Sequence, residues 1–331
     1  MSTKYWLGDD SGNEGDLNVA ANWSPSGVPG AADDVVFDGR STENVTDNLD
    51  ALSAVDLGSL TVWSGYTGTI GSSGSTPMII HSSAGTVYLS GTGTMRIQCG
   101  GGAEETTSIN LCIINSSGSV YLSSQANDVA DAASFTEVRI HKGNVFILGD
   151  SEKSGVNGHG GDSGTVIGTL KVQPATTATV RVGDQCINKL VANTPMDVII
   201  SGGTLNAHSD LGNIQTFGGT LNYGSTTIDM GNSDDITSLI VNGGTFYWKP
   251  QSSGSISTSP TITTLYVASG TFNATNMKST DGGNDPVITT VWQYGGTVDL
   301  RNVYANFSIT TYYDEGGSLY YSPGQILSFA P

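Results

Sequence analysis

The stretch ITSLIVNGGTFYW, Ile236 to Trp248, is followed by three versions of itself: ITTLYVASGTFNA from Ile262, ITTVWQYGGTVDL from Ile288 and ITTYYDEGGSLYY from Ile309. Their starts lie 26, 26 and 21 residues apart. A period in the twenties marks a stacked repeat architecture, in which each copy buries its apolar face only against its neighbours. Each copy is two short runs of alternating apolar and polar residues around Gly-Thr or Gly-Ser, and alternation with period two is the mark of a half-buried strand. No part of a copy has room for a helix. The expected fold is all-β, a right-handed parallel β-helix or closely related β-solenoid.

Aligned, the copies serve as their own comparison. Leu239, Leu265, Val291 and Tyr312 fall in one row, Phe246, Phe272, Val298 and Leu319 in a second, and Trp248, Ala274, Leu300 and Tyr321 in a third. The second and third rows are two residues apart and so share a face. These are the expected inward ladders. The corner (Gly244-Thr245, Gly270-Thr271, Gly296-Thr297, Gly317-Ser318) suits a bend where a side chain would clash. Ile240, Tyr266, Trp292 and Tyr313 form an outward row. Such a strip can stack on sugar rings, bury itself in a subunit interface, or stack only on itself to improve coil packing. An interface is the expectation, because four large groups in a column make a wide patch for a monomer to expose.

Looser copies extend the pattern towards the N-terminus. They are LGSLTV at Leu57, MIIH at Met78, INLCII at Ile109, FTEVRI at Phe135, IGTLKV at Ile167, INKL at Ile187 and IQTF at Ile214, spaced about 20 to 32 residues apart. With the four strong copies this predicts about eleven coils over residues 57–321. At about 4.8 Å per stacked strand the column would be on the order of 50 Å tall. Residues 322–331 form a tail whose Ile326, Leu327 and Phe329 either fold over the last coil or dock on a neighbouring subunit.

Composition agrees with an all-β chain. Its 331 residues include 45 Gly and only 13% charged residues, and Gly disfavours helices while supplying corners. At 37% hydrophobic, the chain can bury a continuous core. Twelve basic residues against 30 acidic give a net charge of −18, which disfavours nucleic acid and anionic membranes as partners. Up to Asp56 there are eleven acidic and two basic residues, half of the net charge in about a sixth of the chain. Cys99, Cys112 and Cys186 form no CxxC pair and read as buried small hydrophobes of a protein made in a reducing cytoplasm. The N-terminal MSTKYWLGDDSG has no apolar core of a signal peptide, so synthesis in a host cytoplasm is expected.

Residues 1–56 therefore read as an acidic, Trp-rich cap, with Trp6 and Trp23 as plugs over the first coil. Its wording is Trp6-Leu7-Gly8, Gly15-Asp16, AANWSPSGVPG from Ala20 to Gly30, and DDVVFD from Asp33 to Asp38. This resembles the N-terminal segments of bacteriophage virion β-helix proteins, and similar wording opens some bacterial surface proteins rich in β-strand repeats. The resemblance covers about an eighth of the chain and brings no catalytic residue with it. It implies a virion protein with other virion proteins as partners, the major capsid protein among them. A homo-oligomer is expected, a trimer being one candidate.

Other candidate sites have plainer readings. Gly161-Asp162-Ser163-Gly164 has the wording of a serine-protease nucleophile loop, but Thr165 follows it and it falls where the coil spacing swells. Asp9 to Asp16 resembles a calcium loop, yet counted from Asp10 the twelfth position is Ala21 instead of a carboxylate. Asp33-Asp34 and Asp234-Asp235 are carboxylate pairs, but adjacent strand residues point to opposite faces and neither pair can flank a glycosidic bond alone. Arg96, Arg139, Arg181 and Arg301 lie on distant coils. No cofactor, metal or catalytic residue is expected. The preferred reading is a non-enzymatic structural protein of a phage particle, a capsid decoration (cement) or head-fibre protein. A receptor- or glycan-binding tailspike or adhesin is the alternative, and a polysaccharide-cleaving β-helix enzyme the second.

Overall fold

The computed structural model describes residues 2–71, 76–81, 85–100, 108–124, 134–148, 166–173, 179–182, 196–207, 211–224, 236–248, 260–275, 286–301 and 307–322. Among them the only helical element is a single 3₁₀ turn, Ala20–Asn22; the rest is strand and corner. The chain is an all-β parallel β-solenoid. It divides into two compact units, one built from residues 1–170 and 178–194, the other from 171–177 and 195–331.

In the first unit, strands Asp34–Phe37, Ser59–Val62, Thr86–Leu89, Ser108–Ser124 and Ser134–Ile147 pair in parallel, each with the next. The register places Val35, Leu60, Val87, Cys112 and Val138 in one ladder, and all five are buried. A second ladder runs Val45, Ile70, Met95, Val120, Val145, Val180. A third runs Met78, Ile97, Leu122, Ile147. Alternation along each strand sends the intervening side chains outward, which is why these runs read apolar at every second residue. Cys99 and Cys112 are both buried thiols, and burial pushes the Cys112 thiol well above its ordinary range, Cys99 adding to the effect.

The parallel register reaches back into residues 1–56. Thr3–Trp6 pairs in parallel with Asp34–Phe37, and bridges Val45–Ile70 and Asp56–His81 continue the stacking. The boundary drawn at residue 57 therefore does not coincide with a break in pairing. Trp23–Ser24 lies antiparallel against Thr3–Trp6, joining Trp6 to Trp23 and Tyr5 to Ser24. Trp6 and Trp23 are buried, 5.1 Å apart and edge-to-face, with Phe37 within 6.0 Å of both and Tyr66 5.4 Å beyond Phe37. The Trp23 indole N–H donates to the Leu17 carbonyl at 2.9 Å.

In the second unit, Met196–Ile200, Leu211–Thr216, Ile236–Trp248, Thr261–Asn273, Val287–Gln293 and Ser308–Asp314 form the corresponding parallel series. Val198, Ile214, Leu239, Leu265, Val291 and Tyr312 make one ladder; Leu205, Leu221, Phe246, Phe272, Val298 and Leu319 make another. The pairing aligns the four strong copies as their sequences do. One rung is new: Met196–Ile200 with Thr204–Ala207 lies only 16 residues from its neighbour (Leu205 opposite Leu221), shorter than the spacings read from the sequence. The segment at Ile187, the G-D-S-G loop, Asp234-Asp235, Cys186 and residues 323–331 of the tail lie outside the described residues.

The corners stack too. Gly219, Gly244, Gly270 and Gly296 all have φ between +66° and +71° or, for Gly270, +79°, the left-handed region that side chains disfavour. A Cβ on Gly270 would lie 2.6 Å from the Gly244 carbonyl oxygen, and one on Gly296 would lie 2.7 Å from that of Gly270. Glycine is needed twice here, for the bend and for the close approach of the rung beneath.

Candidate functional site

The outward row assembles on the second unit. Gln215 pairs with Ile240, Ile240 with Tyr266, Tyr266 with Trp292, and Trp292 with Tyr313. Each stands between two inward residues of its strand, so the pleat alone turns it outward. Ile240, Tyr266 and Trp292 are half-buried by their neighbours, while Tyr313 is 42% exposed. The Trp292 and Tyr313 rings lie face to face at 3.8 Å and 14°. Tyr266 and Trp292 are nearly parallel at 6.5 Å, a looser, offset arrangement.

Tyr294 joins this group without being a member of the row. It begins the corner after Gln293, is 53% exposed, and lies 6.3 Å from Trp292 with ring planes only 8° apart. Beneath the rings, Gln293 is buried and directed inward. Its amide donates to the Ser318 carbonyl at 3.1 Å and accepts from the Tyr312 hydroxyl at 2.6 Å. Partial burial, with the Asp314 charge adding to it, pushes the Tyr312 hydroxyl up to about 12. Asp314 ends the strand in register with Gln293 and accepts from the Gly316 N–H at 3.0 Å, and Glu315 follows on the exposed turn.

The remaining candidate residues are held in structural contacts. Asp33 is buried and accepts from the Gly30 N–H and from the Ser2 N–H and hydroxyl, bonds that hold its carboxyl below the ordinary range. Asp34 accepts from the Ser59 hydroxyl at 2.7 Å. In the acidic turn, Asp10 accepts from the Asn13 amide, and Asp16 from the Asn48 amide and the Asn18 N–H. Among the described residues no three His, Cys, Asp or Glu side chains gather as metal ligands.

Each arginine whose side chain is described contacts a carboxylate, a ring or both. Arg139 is bonded to Glu137, and Arg96 lies over Tyr121, which is itself stacked on Phe146 at 4.7 Å and 11°. Arg40 and Arg301 each meet both an Asp and a Tyr. The Arg96–Tyr121–Phe146 column and the Trp63–Tyr88 pair at 5.3 Å are outward aromatic groups of the first unit that the sequence comparison did not single out. No helix among the described residues is long and apolar enough to cross a membrane. No protein-family model, curated protein or solved structure matches the chain.

Proposed function

We propose that this chain is a non-enzymatic structural protein of a phage particle, a capsid decoration or head-fibre protein that attaches through its outward aromatic column. The reading includes a right-handed solenoid of about eleven coils closed by the N-terminal cap, assembled as a homo-oligomer against other virion proteins such as the major capsid protein. The observation that carries it is the self-stacking of Tyr266, Trp292 and Tyr313. A sugar stacks on a ring face, and the Trp292 face towards Tyr313 is already covered at 3.8 Å. What the column offers is ring edges and the two hydroxyls of Tyr266 and Tyr313, a surface suited to burial against protein.

One observation favours the alternative of a glycan-binding spike or adhesin: Trp292 and Tyr294 lie in nearly parallel planes and make a flat shelf. Immunogold labelling with antibody to the chain separates the readings. Label on phage particles, lost with Trp292→Ala, is the expected result. Label confined to the bacterial surface, with binding on a glycan array that Trp292→Ala abolishes, would replace decoration by adhesion. Release of reducing or unsaturated ends from a capsular polysaccharide would establish an enzyme and overturn both.

A further inference from the structure

A sugar needs a bare ring face, and one indole of the chain offers it. Of the five Trp residues, Trp6, Trp23 and Trp248 are buried and Trp292 carries Tyr313 on one face. Trp63 is 51% exposed, and its one ring partner among the described residues is Tyr88, at 5.3 Å and tilted by 57°. A tilted neighbour braces the indole from one side, so a face of Trp63 stays bare. The fold does not ask for an indole there. Trp63 directly follows the inward Val62, which stands on the same ladder as Phe37, Leu89, Ile114 and Ile140. The residues that follow those four are Asp38, Ser90, Asn115 and His141, all polar, as suits a corner open to water.

Trp63 meets the adjoining rung corner to corner. Its backbone N–H donates to the Phe37 carbonyl at 2.8 Å, and a Cβ on Gly65 would lie 3.2 Å from the N and Cα of Gly39, so the two corners are in backbone contact. On either side of Gly39 stand Asp38 and Arg40. Arg40 lies 3.6 Å over the Tyr5 ring and 3.3 Å from the Asp38 carboxylate, which also accepts from the Arg40 backbone N–H at 2.9 Å. Ring and carboxylate fix the guanidinium. The side chain is nevertheless 49% exposed, and its two terminal nitrogens donate to no described residue.

We propose that Trp63 and Arg40 form a subsite for a neutral sugar, the pyranose ring stacking on the bare indole face and its hydroxyls accepting from the Arg40 guanidinium. Adjacent corners are one strand spacing, about 4.8 Å, apart, which a single sugar ring spans. The surroundings favour a sugar over a protein partner. The corner residues Asp38, Gly39, Arg40, Ser64, Gly65 and Ser90 include no aliphatic or aromatic side chain, whereas the core of a protein interface is depleted of charge. The net charge of −18 repels uronic, sialylated and phosphorylated glycans, so the class is a neutral one. Arg40, held beforehand by Tyr5 and Asp38, loses little freedom on binding. This site lies in the first unit and does not rest on attachment through the Trp292 column.

The test applies the full chain to a printed array of neutral and acidic glycans, followed by calorimetric titration with each neutral glycan that binds. Binding to neutral glycans is expected, and it should survive Trp292→Ala. Trp63→Ala should weaken it at least about tenfold, as for an anchor ring that carries most of a contact, and Trp63→Phe should weaken it less. Arg40→Lys should weaken it several-fold, because an ammonium has neither the planar fork nor the flat face that rests on Tyr5. Trp63 is exposed, so the circular dichroism of Trp63→Ala should match that of the unaltered chain. An array with no neutral glycan bound, or binding undiminished by Trp63→Ala or by Arg40→Lys, overturns the proposal. So does binding to acidic glycans alone. An empty array with particle labelling reduced by Trp63→Ala would make Trp63 a protein contact instead, which also overturns it. The attachment reading falls separately: particle labelling that survives Trp292→Ala refutes it whether or not Trp63 binds sugar.

Discussion

Gly270→Ala is the sharpest test of how the rungs are held together. At φ +79° an L side chain is disfavoured by about 1–2 kcal/mol. The new methyl would also lie 2.6 Å from the Gly244 carbonyl oxygen, 2.7 Å from the Gly243 carbonyl carbon and 2.9 Å from the Gly243 Cα. All three are backbone atoms of the rung beneath, so no side chain can swing aside, and the rungs must part at the corner. Overpacking of this kind costs typically about 1–3 kcal/mol, giving a total of roughly 2–5 kcal/mol when the φ cost is added. Gly12 separates the two contributions: its φ is +93° but nothing lies within 4 Å of its Cβ position, so Gly12→Ala should cost only the conformational part. Hydrogen exchange read by mass spectrometry on Thr261–Asn273 should show protection lowered by about ten- to a hundred-fold beyond the effect of Gly12→Ala on its own surroundings. Coupling between nearest-neighbour rungs should confine most of the loss to the strands touching this corner. Equal costs for the two substitutions would refute the idea that backbone contact between corners sets the rung spacing.

Three further outcomes are expected. Phe272→Ala removes a fully buried ring stacked 5.8 Å from Phe246, and should cost about 3–5 kcal/mol in urea unfolding of the second unit; a loss under 1 kcal/mol would mean the ladder is loosely packed. Asp33 has its pKa depressed in the fold by the Gly30 N–H and the Ser2 bonds, so its stabilisation is present above the unfolded value near 3.9 and lost as pH falls through the lower folded value. Asp33→Asn should therefore be less stable at pH 6 and lose less between pH 6 and pH 3; equal losses in urea midpoint would remove Asp33 from the acid response. Cys99 and Cys112 should resist iodoacetamide in the native state and label fully in urea, and rapid native labelling would contradict their burial.

Much of the second unit was legible because four copies within one chain can be laid over one another. Leu239 over Leu265, Ile240 over Tyr266 and Phe246 over Phe272 follow from the alignment alone and recur as strand register. Tyr294 was not legible, because the equivalent corner position holds Asn242, Ala268 and Glu315, and a row that changes character shows no pattern. The short coil at Met196–Ile200 escaped because its 16-residue step falls below the period set by the strong copies. At the N-terminus the ladder passes through single bridges such as Val45–Ile70, and a one-residue contact leaves no alternation to read. The last copy departs from its own alignment: Tyr312 and Leu319 are only half-buried and Tyr321 is 54% exposed, although their equivalents below are buried. An inward position is enclosed by the rungs on both sides of it, so the pattern predicts direction along the whole column and full burial only within it.

That end condition bears on the aromatic column. The inward row beside it reads Val241, Val267, Gln293 and Asp314, changing from apolar to polar over the last two rungs. A buried amide left unpaired would destabilise the fold by about 1–3 kcal/mol. Gln293 is instead bonded to the Ser318 carbonyl and the Tyr312 hydroxyl, both on the following rung, so directional bonds tie together two rungs that have less core to share. The residues on either side of Gln293 are Trp292 and Tyr294, and the residue after Tyr312 is Tyr313. Strand alternation thus places the hydrogen-bonded Gln293 and Tyr312 next to the outward rings of Trp292, Tyr294 and Tyr313, and the bonds that close the column also hold these rings in register. A face built this way would lose little conformational freedom if it were covered, so this end of the row suits the proposed attachment better than its Ile240 end.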